Sequence, residues 1–220
     1  KLAQKYTLMV QTHISENRAE LTATAEAFPE SKDYLGVYED LGLLHERSLF
    51  AHCIWLTYDE WTRFANAKAA VAHCPDSNFF LGSGQMSLAD VQSRRIKLGL
   101  GSDVGAGRSF SMRKACARAY DASRITQSET TPESLLWHST RGGALALNKP
   151  LLGVIEKGAY ADVVCIKPPP SFDVRPTAHH RSPLIDRSLQ TLIAQLIFCE
   201  DWDGVLEVKT RGISRWQAHL

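Results

Sequence analysis

SLFAHCIWLTYDE, residues 48–60, reads as one strand feeding one helix. Ser48 to Cys53 is a short buried run that stops being apolar at His52. Thr57 then opens a helix as a capping box, because Glu60 stands three residues on, where its carboxylate reaches back to the cap's own amide. The unit recurs on both sides. Upstream, Tyr6 to Thr12 is a β-rich run ending in the polar cluster His13, Ser15, Glu16 and Asn17, with helix-forming residues from Arg18 to Phe28 and again around Asp33 to Leu44. Downstream, Ala69 to His73 is a strand, Cys74 to Gly84 a polar turn, and Ser87 with Asp90 starts a short helix. Arg95 to Asp103 is the fourth strand, Val104 to Gly107 a flexible loop, and Ser109 to Tyr120 a helix.

Four strand-then-helix units in succession predict a parallel α/β sheet whose right-handed crossovers place the helices outside. A closed (β/α)8 TIM barrel takes about 250 residues, so the roughly 120 used here make half of one. After Thr131-Pro132 a helix is expected to run to about Ala146. The character then changes: residues 153–167 suggest two short strands around a Gly turn, Leu184 to Phe198 has helical apolar spacing, and Val205 to Val208 is a last strand. The expected organisation is half of a barrel over residues 1–150 and part of a small flanking β-sandwich domain with a helix over 151–220.

The 220 residues carry Lys+Arg 25 against Asp+Glu 24, a net charge of +1, with basic residues dispersed along the chain. That balance supplies no nucleic-acid or anionic-membrane surface. The apolar stretches fall short of a membrane-spanning helix, and five scattered Cys without a C-x-x-C pair favour reduced thiols and a cytoplasmic setting. Most other polar residues take structural readings: His45 as a solvent-exposed turn residue, His73 as a strand residue rather than a ligand, Cys53 and Cys74 as small buried residues, and the five Trp as packing residues.

His13, His52 and Asp103 each stand at the C-terminal end of a strand. In a β/α barrel these ends converge on one face, so residues distant in sequence meet there. Imidazole and carboxylate suit zinc or iron, and Glu16, three residues past His13, is a carboxylate able to transfer protons beside a reacting water. A single His at a strand end is by itself ordinarily a packing or hydrogen-bonding residue; the combination is what carries weight.

THISEN (12–17), AHC (51–53), HCPDSNFFLGSG (73–84) and GLGSDVGAG (99–107) resemble, in order and approximate spacing, successive signatures of the guanine deaminases of the amidohydrolase superfamily. The resemblance runs through the ADVV segment, residues 161–164. It implies that His13 and Asp103 bind the metal after the fifth and eighth barrel strands. It further implies that Glu16 shuttles a proton to the purine ring nitrogen, and that His52 orients the reacting water first and is a ligand second. His13, Glu16 and Asp103 would also meet the substrate. Ser77-Asn78 and Gly82-Ser83-Gly84 match a turn that shapes the pocket wall. The implied reaction is zinc-dependent hydrolysis of guanine to xanthine and ammonia, with iron accepted by the same donors and a homodimer as the assembled form.

One departure from the family is large: no H-x-H pair, the metal-binding signature of the first barrel strand, occurs in these residues. His179-His180 is no substitute, since adjacent strand residues point to opposite faces. The expectation is therefore the C-terminal half of a deaminase, inactive alone. The alternatives are another aminohydrolase or chlorohydrolase acting on a purine, pterin or triazine, and a non-catalytic half-barrel that assembles with a second chain.

Overall fold

In a computed structural model, which describes residues 2–168, 183–199 and 204–218, the first part of the chain forms a four-stranded parallel sheet in sequential order. Its strands are β1 (Val10–Ile14), β2 (Ser48–His52), β3 (Ala70–His73) and β4 (Lys97–Leu100). The helices between them are α2 (Arg18–Ala27), α3 (Tyr34–Asp40), α4 (Tyr58–Asn66), α5 (Pro75–Leu81) and α6 (Leu88–Ser93); a short α1 (Leu2–Lys5) precedes the sheet. Thr57 and Glu60 form the expected capping box on α4, and Asn17 and Glu20 form a second on α2. Each supplies otherwise unpaired amides of the first turn with an acceptor.

The register explains the two faces. Thr12, Phe50, Val71 and Leu98 are successive partners across the sheet. Phe50, Val71 and Leu98 join Ile14, Phe64 and Met86 in the main core, between sheet and helices. The next residue along each strand gives the row His13, Ala51, Ala72, Gly99 on the other face, because side chains alternate. That row is one imidazole followed by three residues with almost no side chain.

Several sequence expectations need correction. β1 begins at Val10 rather than Tyr6 and extends through His13 to Ile14. Residues 74–84 are not a turn but contain α5, with Pro75 at its first position and Gly82 closing it in the left-handed conformation at φ 68°. The helix expected after Thr131 is two, α8 (Pro132–Ser139) and α9 (Arg141–Ala146), broken at Thr140, where φ and ψ are −124° and −94°. The break is forced by packing: α9 lies against β4 so closely that a Cβ on Gly99 would sit 2.9 Å from the Gly143 Cα. Ala146 covers Leu49 and Ala70 at the base of the inner face. Between β4 and α8, α7 (Met112–Ile125), capped by Ser111, starts three residues later than expected and runs five further than Tyr120.

Only one strand forms in residues 153–167, β5 (Val163–Ile166); the stretch before it turns through Gly153 and Gly158 at positive φ. It pairs antiparallel with β6 (Val205–Thr210), and β6 with β7 (Ile213–Gln217), a strand not foreseen because it is short and fully exposed. The intervening α10 (Pro183–Phe198) packs on α7 and α8, burying Ile197 beside Cys116, Ala119 and Leu135. All five cysteines are free, and burial pushes the Cys53 thiol well up and that of Cys74 up to about 12. His45 is half-buried rather than exposed, its Nδ1 accepting from the Arg47 amide. Trp61 packs in the core, whereas Trp137 and Trp216 are exposed, against the packing role expected of them. His179, His180 and Trp202 lie outside the described residues. Among the described residues, no helix is long and apolar enough to cross a membrane.

Candidate active site

The C-terminal ends of the four parallel strands open onto a cleft of about 390 Å³ lined by His13, Glu16, His52, Leu81, Asp103 and Ala106, among others. Every residue that the sequence pointed to is therefore at one place. The chain turns sharply there: Ser15, His52, Cys53 and Asp103 have φ of 50°, 67°, 52° and 47°. For residues with a Cβ this left-handed backbone costs on the order of 1 kcal/mol or more each, and such residues concentrate at functional sites.

His52 is the centre of the constellation. Its side chain is 5% exposed, and its Nε2 stands 3.8 Å from Glu16 Oε2 and 3.8 Å from Asp103 Oδ2. Its Nδ1 lies 2.8 Å from Asn78 Oδ1 on α5. With that oxygen accepting, the imidazole donates from Nδ1 and presents the Nε2 lone pair toward the two carboxylates. Glu16 is oriented in turn by Ser83, whose hydroxyl donates to Oε1 at 3.0 Å. Ser83 lies just past Gly82, so one short helix and its C-terminal turn hold two members of the site.

His13 is placed differently. Its ring centroid is 6.4 Å from that of His52, its side chain is 58% exposed, and its Nε2 is 3.2 Å from Glu20 Oε1. Tyr34 donates its hydroxyl to the same Glu20 oxygen at 2.6 Å, while Tyr38 donates to the His13 carbonyl at 3.0 Å. Burial raises the Tyr34 hydroxyl pKa, so it stays a donor. Sequence reading missed Glu20 and the two tyrosines; the usable signal for Glu20 was the N-x-x-E capping pattern of Asn17 and Glu20. Asn78 and Ser83 fall in the stretch expected to shape the pocket wall, and each meets one of the candidate residues, His52 and Glu16 respectively.

His52 Nε2, Glu16 Oε2 and Asp103 Oδ2 thus converge here, with the second imidazole of His13 across the cleft. Such a set suits a divalent cation of the zinc or iron kind together with a water. Among the described residues no group of three His, Cys, Asp or Glu is arranged to hold a metal ion. The donor types fit, and the shell they make is partial.

His73, at the end of β3, is fully buried with neither ring nitrogen hydrogen-bonded. Burial, and then the neighbouring His138 and His52, pull it down to about 3, so it is a neutral ring.

A family model described as amidohydrolase family matches residues 1–196. The guanine deaminase of Escherichia coli (strain K12) is 34% identical over 160 residues, which is 72% of this chain and 36% of that protein. Among solved structures, E. coli guanine deaminase superposes with a TM-score of 0.86 at 29% identity, over 99% of this chain and 51% of its own. Guanine deaminase from C. acetobutylicum with bound guanine gives 0.82 at 27%, over 97% and 50%. An adenosine deaminase from Xanthomonas campestris with bound zinc gives 0.79 at 26%, over 97% and 46%. The chain thus spans about a third of the curated relative's length and about half of each solved structure.

Proposed function

This chain belongs to the amidohydrolase family, and from that premise we propose that it carries one half of the catalytic face of a metal-dependent deaminase converting guanine to xanthine and ammonia. The observation that carries the reading is the placement of His52 Nε2 at 3.8 Å from both Glu16 and Asp103, with Asn78 and Ser83 fixing His52 and Glu16 from behind. His13 and Asp103 would hold the metal, with His52 beside them. The zinc of the X. campestris relative favours zinc, and iron suits the same donors. Such an ion, when bound, supplies Lewis-acid activation of a water.

The chain's own residues do the rest. Glu16, its other oxygen tied to Ser83, moves a proton from the reacting water to the ring nitrogen beside the carbon that loses its amino group. His52, held by Asn78, keeps Nε2 aimed at that water, and Asp103 takes the remaining water proton and passes it to the amino group, which leaves as ammonia. His13, Glu16 and Asp103 line the wall against which the purine lies. Residues 1–150 then correspond to barrel strands five to eight and residues 151–220 to part of the flanking β domain. With no H-x-H pair among these 220 residues, the isolated chain is expected to be inactive. The cytoplasmic setting follows from the scattered cysteines, and the homodimer from the resemblance alone.

Ammonia release from guanine, adenine, cytosine and S-adenosylhomocysteine by the complete, metal-loaded protein tests the reading. Guanine is expected to be the preferred substrate, and Glu16→Gln to lower kcat by about 10²-fold or more. Preference for another of these substrates would move the chain to a sister aminohydrolase. Absence of turnover with any of them would favour a non-catalytic half-barrel.

A further inference from the structure

Asp76 and Arg108 take no part in the chemistry above, yet they join the segment that carries Asp103 to the helix whose Asn78, with Ser83 just past it, holds His52 and Glu16. Asp76 lies on α5 and is 8% exposed. Arg108 is the first residue past the turn that begins at Asp103. That turn is closed on itself: the Asp103 carbonyl accepts the amides of Ala106 at 3.2 Å and Gly107 at 2.5 Å. A Cβ on Gly107 would lie 1.8 Å from the Ser102 carbonyl oxygen, so only glycine allows the turn to close this tightly. With no slack between residues 103 and 107, whatever fixes Arg108 also fixes Asp103.

Asp76 fixes Arg108 through backbone and side chain together. Its Oδ2 accepts the Arg108 amide at 2.7 Å, and its Oδ1 accepts Nε at 3.1 Å and pairs with Nη2. Arg118 Nε stands 3.7 Å from the same Oδ1 as a second cation. The hydrogen bond from Arg108 holds the Asp76 carboxyl below the usual carboxylate range, so it is ionised and acceptor-only at neutral pH. A planar guanidinium forked onto a carboxylate is a directional contact as well as an attraction.

We propose that the Asp76–Arg108 pair is a positioning clamp for Asp103, and that α5 sets the mutual distances of Glu16, His52 and Asp103 through Ser83, Asn78 and Asp76 respectively. The clamp rests on the reading of Asp103 as a reacting carboxylate. Ser77 and Asn78 on α5 are fully buried, which makes the helix a rigid reference. Arg108 is half exposed at 49%, and Asp76 keeps the residue-108 amide and Arg118 when the guanidinium is removed, so its loss costs little global stability.

The test uses the complete, metal-loaded protein and compares Asp76→Asn, Arg108→Gln, the double variant and Arg108→Lys. Each single removal is expected to lower kcat for guanine about tenfold, through displacement of Asp103 from its reacting geometry. Tm stays near that of the parent, while metal affinity falls in step with kcat, because Asp103 is also read as a metal-holding residue. The double variant should lose no more than the worse single, because one interaction is being removed twice. Arg108→Lys should restore part of kcat, keeping the charge and losing the fork. Unchanged kcat in both single variants overturns the clamp. So do losses that track Tm and add in the double variant, since that is the signature of a purely structural pair. Arg108→Gln, at a half-exposed position, decides the matter if Asp76→Asn does not fold. Asp103→Asn separates the two readings: if it turns over guanine normally, the active-site reading and the clamp fall together. If it is inactive while the clamp variants match the parent, the clamp alone falls.

Discussion

His73 is a base that the fold keeps from taking up a proton. In the unfolded chain it titrates near 6.5, and in the fold it is held down to about 3. Above about pH 6.5 neither state is protonated at this position and the fold loses nothing. As the pH falls through that value the unfolded chain gains a proton that the folded one refuses, so stability declines by about 1.4 kcal/mol per pH unit until the folded pKa is reached. His138, also pulled down by burial, acts in the same direction. Urea unfolding between pH 7 and 4 should show this slope, and His73→Phe should flatten it. An apolar ring there forfeits no hydrogen bond, since neither nitrogen makes one. Ser15 offers the opposite lesson: its backbone is left-handed at φ 50°, and its buried hydroxyl has no partner. Ser15→Gly should raise stability by about 1 kcal/mol, measured by thermal or urea unfolding. The candidate residues themselves were legible, because polar residues closing apolar strands are visible in sequence. Their holders were not: Asn78 meets His52 across 26 positions and Ser83 meets Glu16 across 67, contacts that exist only once the strands are in register.

The elements that could be read in advance were those whose sequence carries a local signal. β2 ends where it was expected to, and the Thr57 cap is as expected, because both depend on a few adjacent residues. The helix α5 has the look of a turn because Pro, Asp, Ser and Asn are its first four residues and Gly follows it, although Pro at the first position and Gly just past the last is also how a short helix is bracketed. β7, exposed at all five residues, has no apolar alternation to announce it. The break between α8 and α9 is set by what α9 packs on, which no local pattern records. That packing gives a prediction at this scale: Gly99→Ala places a methyl 2.9 Å from the Gly143 backbone and should destabilise the chain by about 1–3 kcal/mol, read from the urea midpoint. Thr57→Ala, which removes only a cap, should cost about 1 kcal/mol.

For the molecule as a whole, a parallel sheet of four strands has two margins. α9 lies along β4 on one side, and β1 presents the other, with exposed Leu8 just before it. A free strand edge beside apolar side chains recruits another strand. The isolated 220-residue chain is therefore expected to self-associate in a concentration-dependent way on size exclusion, and elution as a monomer across the range would contradict this. The connectivity of the second sheet has a further consequence. β5 precedes α10 and β6 and β7 follow it, while α10 itself is lodged on α7 and α8 through Ile197 and the edge-to-face contact of Phe198 with Tyr120 at 5.1 Å. The small sheet is thus interrupted in sequence by a helix that packs on α7 and α8. If that insertion couples the two sheets, heating should melt both in a single transition.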